Sequence, residues 1–118
     1  VLTLDEVVAN HCPTIIKIDI EGHEMPALRG GLKTLENSNL IAVVMETNGS
    51  GARFGWTDQE IENLMLSYGF SAFNYDPFNR DLLSRKKGSL NTVFVRNKNE
   101  VLRRVKNSRK FKVGHTSI

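Results

Sequence analysis

The sequence predicts an α/β domain with a mainly parallel sheet, a final antiparallel strand and flanking helices. Two runs, 15–19 and 40–47, are almost continuously apolar until they end, which is typical of strands covered on both faces. Segments with helical periodicity alternate with them, in the order helix, strand, helix, strand, helix, strand, strand. The length of 118 residues corresponds to one domain.

The first helix and the first strand follow from a capping box and a proline. Thr3 lies three residues before Glu6, the spacing at which each side chain caps the other residue's backbone N–H. Pro13 ends the helix, because proline has no N–H and its ring clashes with the preceding turn. The apolar run that begins at Ile15 predicts a strand ending at Asp19.

The middle of the chain predicts two helices around a second strand. Segment 25–39 contains leucines at helical spacing, although two consecutive glycines weaken the helix by about 1 kcal/mol each. Segment 40–47 is the second strand, and 48–55 is predicted as a flexible loop. Segment 57–70 opens with a second capping box and predicts a helix.

The C-terminal part predicts two more strands and a basic helix. Segments 71–77 and 91–97 have strand composition. After them, three apolar residues on one side of a helix predict docking to about Asn107, followed by a disordered end. We therefore divide the chain into an α/β domain, 1–97, and a basic C-terminal helix and tail, 98–118.

The charged residues are distributed unevenly. Residues 1–79 hold four Lys/Arg and eleven Asp/Glu, a net charge of −7, and residues 80–118 hold twelve Lys/Arg and two Asp/Glu, a net charge of +10. The cations concentrate in 84–88 and 96–112. Such segments bind nucleic acid or anionic surfaces, or are simply solvated. Nucleic-acid binding is not expected, because no aromatic residue interleaves with the second stretch before Phe111.

We expect a cytoplasmic protein. No apolar run approaches the roughly 20 residues that span a bilayer. The single cysteine, Cys12, cannot form an internal disulfide, which favours a reducing compartment.

Acidic side chains follow both apolar strands. Asp19 ends the first strand and Glu46 the second, and neighbouring parallel strands lie about 4.8 Å apart. Ligands of open parallel sheets bind beyond the carboxyl ends of the strands, so we expect Asp19, Glu46 and the adjacent Glu21 to form a ligand site. His23 and Glu24 crowd the same edge, and His23 is a candidate base.

Two other interpretations of these acids stay open. Asp19 and Glu21 could cap neighbouring backbone amides after the strand. Together with Glu46 they could also hold a hard cation through their oxygens, but we expect no metal.

The motifs together resemble the C-terminal half of an FkbM-type methyltransferase. The resemblance rests on "TLDE", "IIKIDIEGHEMPALRGG", the strand ending in Glu46, "YGF" and "NTVFV", and it spans Leu2 to about Val95. It implies a Rossmann-like sheet, of which the four predicted strands resemble the fourth to seventh of seven. The last strand is then antiparallel and lies beside the second one here.

The resemblance also implies methyl transfer from S-adenosylmethionine, usually to a hydroxyl oxygen of a small molecule or glycan. Asp19 and Glu21 would orient the hydroxyl or the methionine end of the cofactor, with Glu46 nearby and His23 as a candidate base. The glycine-rich turn that holds such a cofactor is absent from this sequence, so no cofactor-binding residue is assigned.

We therefore expect a fragment that is inactive alone, binds S-adenosylmethionine weakly or not at all, and belongs to a full-length protein that uses it. The missing N-terminal half, or another chain, is expected at the exposed sheet edge. Two alternatives remain: a binding module that uses the basic tail for nucleic acid or anionic surfaces, and a structural subunit that pairs through the sheet edge.

Overall fold

The computed structural model describes residues 1–86 and 89–118, which form one main sheet with helices around it and a short C-terminal hairpin. The helices are α1 (Leu4–Val8), α2 (Glu24–Arg29), α3 (Leu32–Glu36), α4 (Asp58–Ser67) and α5 (Lys98–Asn107). The strands of the main sheet are β1 (Ile15–Ile18), β2 (Ala42–Glu46), β3 (Ser71–Asp76), β4 (Asp81–Ser84) and β5 (Asn91–Val95). The hairpin is formed by β6 (Lys112–Val113) and β7 (Thr116–Ser117), and a 3₁₀ helix spans Ser50–Phe54.

The sheet is mixed, with the strand order β1-β2-β5-β3-β4. β1 and β2 are parallel neighbours, and β5 lies antiparallel between β2 and β3. The α/β class and the antiparallel strand beside the second one agree with prediction. The expectation of mainly parallel pairing is wrong, because only one of the four adjacent pairs that the described residues form in the main sheet is parallel.

Two features explain this difference. β3 runs in the same direction as β2, but β5 separates the two strands, so their common direction produces no parallel pair. β4 was not predicted, and it adds an antiparallel pair at the far edge. Its apolar pattern is limited to Leu82 and Leu83, too short to indicate a strand.

Local capping determines the start of two helices as predicted. Thr3 Oγ1 accepts a hydrogen bond from Glu6 N at 3.2 Å, and Thr57 Oγ1 accepts one from Glu60 N at 3.2 Å. The helix predicted over 25–39 is instead divided into α2 and α3 at its two glycines. A Cβ on the second glycine, Gly31, would lie 2.5 Å from Leu4 Cδ2, so the absence of a side chain there allows Leu4 of α1 to pack against it.

The main core lies on one face of the sheet, beneath α2, α3 and α4. Its most buried members are Leu28, Leu35, Leu40, Val43, Met45, Ile61, Met65, Phe70 and Phe94. A smaller cluster on Val95 and Leu82 packs against Val101 of α5. Among the described strands β1 pairs only with β2, so its outer edge is open.

The C-terminal segment is more ordered than expected. α5 ends at Asn107, as predicted, but the disordered end is wrong, because 112–117 form the β6–β7 hairpin. The Arg80 guanidinium, from the β3–β4 turn, donates hydrogen bonds to the carbonyl oxygens of Val105, Ser108, Arg109 and Ile118. No pattern in the sequence predicts these long-range hydrogen bonds.

Of the basic stretch 84–88, Lys87 and Gly88 lie outside the described residues. Within the described residues, every helix lacks the length and apolar character that crossing a bilayer requires.

Candidate active site

Three carboxylates meet at the carboxyl edge of the parallel pair. The register places Ile18 of β1 opposite Met45 of β2, so the residues that follow emerge side by side. One carboxyl oxygen from each of Asp19, Glu21 and Glu46 lies within 4.8 Å of the other two. The predicted clustering of these acids is confirmed, and their catalytic role stays a prediction.

The three acids differ in their surroundings. Asp19 and Glu21 are exposed, and Glu46 is half-buried. Lys17 Nζ lies 2.5 Å from Asp19 Oδ2, with both side chains about half exposed or more. Such an exposed ion pair contributes little to stability. Lys17 offsets part of the negative charge of the cluster, and the carboxylate of Asp19 remains open to solvent.

The turn after β1 is built by Glu24. This residue is 2% exposed, and its Oε1 accepts hydrogen bonds from Gly22 N at 3.2 Å and from Ile20 N at 3.4 Å. The capping function considered for Asp19 and Glu21 therefore belongs to Glu24. Among the described residues neither of those two side chains accepts a backbone hydrogen bond, which leaves both carboxylates available for a ligand.

The segment predicted as a flexible loop, 48–55, contains the 3₁₀ helix and supports this turn. Trp56 Nε1 donates to Gly22 O at 2.9 Å, and Arg53 Nη2 donates to Glu21 O at 3.2 Å. A Cβ at Gly22, where φ is 97°, would lie 2.9 Å from the Phe54 ring. In the sequence, Phe54 and Trp56 beside the glycines could have indicated that this segment packs against the turn, but it was predicted as a flexible loop.

His23 is exposed and contacts the ring of Phe54. Its ring centroid lies 4.2 Å from that of Phe54. His23 and Asp19 both line a mostly apolar cleft of about 620 Å³ beside β1, together with Ile16, Ile18 and the first residues of the chain. The structure thus places the candidate base at a cleft large enough for a small molecule.

A second, more polar cleft of about 390 Å³ lies beyond the end of β2. Thr47 and Asn48, which directly follow Glu46, line it together with Glu62 of α4 and Arg85. Arg85 Nη2 donates to Thr47 Oγ1 at 3.1 Å and its guanidinium pairs with Glu62. Sequence reasoning did not identify Arg85, because its partners are far away along the chain.

The acidic cluster is suited to cationic or hydrogen-donating groups. Carboxylate oxygens accept hydrogen bonds from hydroxyl and ammonium groups, and they are also the ligands that hard cations take. Asp19, Glu21 and Glu46 are close enough to share one such group. That the site uses no metal stays a prediction.

Glu21 adopts a conformation that favours glycine. Its φ is 55°, and left-handed backbone costs a residue with a Cβ roughly 1–2 kcal/mol. We expect Glu21→Gly to raise the free energy of unfolding by about 1 kcal/mol, measured by urea unfolding. The matched control is Glu36→Gly at the end of α3, which should lower it by less than the roughly 1 kcal/mol of a helix interior; a loss of stability in both variants would contradict the strain at Glu21.

Comparison with known proteins identifies the family. The model of the family described as "Methyltransferase FkbM domain" matches residues 1–72, which include α1 to α4, the acidic cluster and the first residues of β3. The match ends before Val95, where the sequence resemblance ends. No curated protein and no solved structure matches the chain significantly. Since the family model covers more than half of the 118 residues, the chain belongs to the FkbM methyltransferase domain family.

Proposed function

We propose that the protein transfers a methyl group from S-adenosylmethionine to a hydroxyl oxygen of a small molecule or glycan, with Asp19, Glu21 and Glu46 lining the reaction site. Family membership supports methyl transfer in general. The observation that carries the assignment of residues is the convergence of the three carboxylates within 4.8 Å, beside a cleft lined by Asp19 and His23.

The residues fit the cationic part of such a cofactor. S-adenosylmethionine supplies an electrophilic methyl group on a sulfonium, and its methionine end carries an ammonium group. Exposed carboxylates at Asp19 and Glu21 can accept hydrogen bonds from that ammonium or from an acceptor hydroxyl. The apolar cleft beside β1 has a volume within the range of about 300–1,000 Å³ typical of small-ligand sites.

The chemistry requires positioning above all. In an in-line displacement the hydroxyl oxygen must face the methyl group along the breaking bond, and orientation of this kind can lower a barrier substantially. A carboxylate or His23 that accepts the hydroxyl proton adds general-base assistance. We propose that Glu46, at the end of β2, helps to orient an acceptor that enters from the polar cleft.

We further propose a Rossmann-like setting for this site. β1, β2 and β3 run in one direction and β5 is inserted antiparallel beside β2, an order consistent with the last strands of such a sheet. The open edge of β1 would pair with a strand from elsewhere in the protein or from another chain, and the end of the cleft at Asp19 and His23 would stay free for the ligand. In this proposal residues 1–97 are the α/β part, 98–118 are an appended basic segment, and the single cysteine suits the reducing cytoplasm.

The test is to replace the carboxylates of Asp19 and Glu46, one at a time, by amides of nearly the same shape. We expect Asp19→Asn or Glu46→Gln in the full-length protein to lower kcat/KM for methyl transfer by about 100-fold or more, because both orientation and proton acceptance are lost. Transfer of a labelled methyl group to a panel of sugars and small alcohols measures it. Calorimetry of S-adenosylmethionine binding gives a second readout.

The matched control is Glu36→Gln, an exposed acid on α3, which should leave both readouts unchanged. Wild-type rates in both site variants would remove the acidic cluster from the active site. Weakened cofactor binding in Asp19→Asn alone would place Asp19 at the methionine end and Glu46 on the acceptor side.

A further inference from the structure

The C-terminal hairpin has two chemically different faces. Phe111 and Ile118 exchange both backbone hydrogen bonds, at 2.7 and 2.9 Å, and Val113 pairs with Thr116. Side chains alternate between the faces of a strand, so Phe111 and Val113 share one face. Lys110 and Lys112 therefore project to the other face.

The apolar face is open to solvent although the hairpin is firmly attached. Phe111 is 63% exposed and Val113 is 58% exposed. A two-stranded hairpin is marginally stable by itself, but here Arg80, which is 8% exposed, donates to Arg109 O and Ile118 O, both at 3.0 Å. A buried guanidinium thus holds in place a segment whose apolar side chains Phe111 and Val113 remain mostly exposed to solvent.

The surroundings of the hairpin are strongly cationic. Residues 98–118 hold seven Lys/Arg and one Glu, a net charge of +6. Glu100 pairs with Arg103 and Arg104, whose guanidinium groups lower the pKa of Glu100 to about 2. Lys98 is exposed at the start of α5, and the remaining exposed cations of this region cluster at the end of α5 and in the hairpin. They are Lys106, Arg109, Lys110 and Lys112.

We propose that the hairpin and the end of α5 form a docking surface for an anionic membrane. Apolar side chains can enter the boundary between headgroups and acyl chains while cations flank them at the level of the lipid phosphates. The exposed Phe111 and Val113 supply the first element, and the exposed cations supply the second. Lys110 and Lys112 start from the other face of the hairpin, but their long, flexible stems allow the ammonium groups to reach the phosphate level around its rim. The attachment through Arg80 presents both in a defined geometry.

Two other occupants fit this surface less well. Single-stranded nucleic acid is held by several aromatic platforms in a basic groove, whereas Phe111 is the one Phe, Tyr or Trp in the segment 98–118. A second copy that docked through the same surface would bring two segments of charge +6 together, which like-charge repulsion disfavours.

The test is co-sedimentation of the protein with vesicles of phosphatidylcholine alone and of phosphatidylcholine mixed with phosphatidylserine. We expect binding to the mixed vesicles, weaker binding at high salt, and little binding to the neutral ones. The double variant Lys110→Gln/Lys112→Gln should lower the partition coefficient at least tenfold, since each cation near the surface contributes about fivefold. Phe111→Ser should lower it by a similar factor without removing the salt dependence.

The matched control, Arg29→Gln/Lys33→Gln, removes two exposed cations from α2 and α3 and should partition like the wild type. Circular dichroism and thermal unfolding check that each variant is folded. Binding to neutral and mixed vesicles alike, or to neither, would overturn the proposal. Tighter binding to oligonucleotides than to vesicles at physiological salt would assign the surface to nucleic acid instead.

Discussion

Replacement of Arg96 by alanine is expected to lower the free energy of unfolding by about 3 kcal/mol or more. Arg96 Nη1 donates to Asn37 O at 2.7 Å and to Leu40 O at 3.1 Å. Its Nη2 donates to Tyr68 O at 3.2 Å and also to the carbonyl oxygen of Leu35. One guanidinium therefore joins the end of α3, the entry to β2 and the end of α4 to the last strand of the sheet.

Packing adds to this effect. The guanidinium carbon of Arg96 lies 4.3 Å from the centroid of the Phe70 ring, which is itself 1% exposed. Burial lowers the pKa of Arg96, but arginine remains charged at every pH of interest. Alanine would leave four carbonyl oxygens without this donor and would open space above Phe70.

Urea unfolding measures the loss. Arg96→Lys keeps the charge, but a compact ammonium cannot reproduce the planar fork of donors, so we expect a smaller loss that is still above 1 kcal/mol. Arg109→Ala, an exposed control, should change stability by less than about 0.5 kcal/mol. A loss as small in Arg96→Ala as in Arg109→Ala would show that water replaces the guanidinium at no cost.

Replacement of Glu24 by alanine is expected to lower the free energy of unfolding by about 2–3 kcal/mol, because two backbone N–H groups lose a buried acceptor. Both donors, Gly22 N and Ile20 N, bind the same oxygen, Oε1. The turn that they define carries Glu21 between β1 and α2. We therefore expect methyl transfer to fall as well, although the Glu24 carboxylate itself is too buried to contact a substrate.

Glu24→Gln separates these effects. The amide retains an oxygen that can accept both hydrogen bonds, so the stability loss should stay below about 1 kcal/mol, the size of a charge effect at a helix N-terminus. Turnover should also be largely retained. If Glu24→Gln abolished methyl transfer in a folded protein, the carboxylate would have a chemical role that its burial does not suggest.

Several elements were predictable because the information is local. Thr3 and Thr57 start helices through side chains three residues away, and three apolar residues specify the extent of α5. The apolar runs that end in Asp19 and Glu46 identified two strands and the edge at which they terminate. The position of the acidic cluster followed from these runs, since parallel neighbours end at the same edge.

Other features depend on partners far apart in the sequence. The sheet order places β5 between β2 and β3, and no pattern within β5 states which strands it pairs with. Arg80 and Arg96 look like ordinary surface cations, yet each donates to four carbonyl oxygens up to 61 residues away. Side-chain geometry was also needed to distinguish the acids. Glu24 accepts the hydrogen bonds of the turn, whereas Asp19 and Glu21 face solvent.

The amino-acid sequence by itself determined the α/β class, the main helices, the two strands that deliver the acids, the clustering of Asp19, Glu21 and Glu46, and the family. Only the tertiary structure decided the mixed pairing of the sheet, the support of the site turn by Trp56 and Arg53, and the attachment of the hairpin by Arg80. The physical reason is the range of the interactions. Capping and hydrophobic periodicity act over a few residues, whereas strand order and guanidinium–carbonyl contacts depend on which distant groups the folded chain brings together.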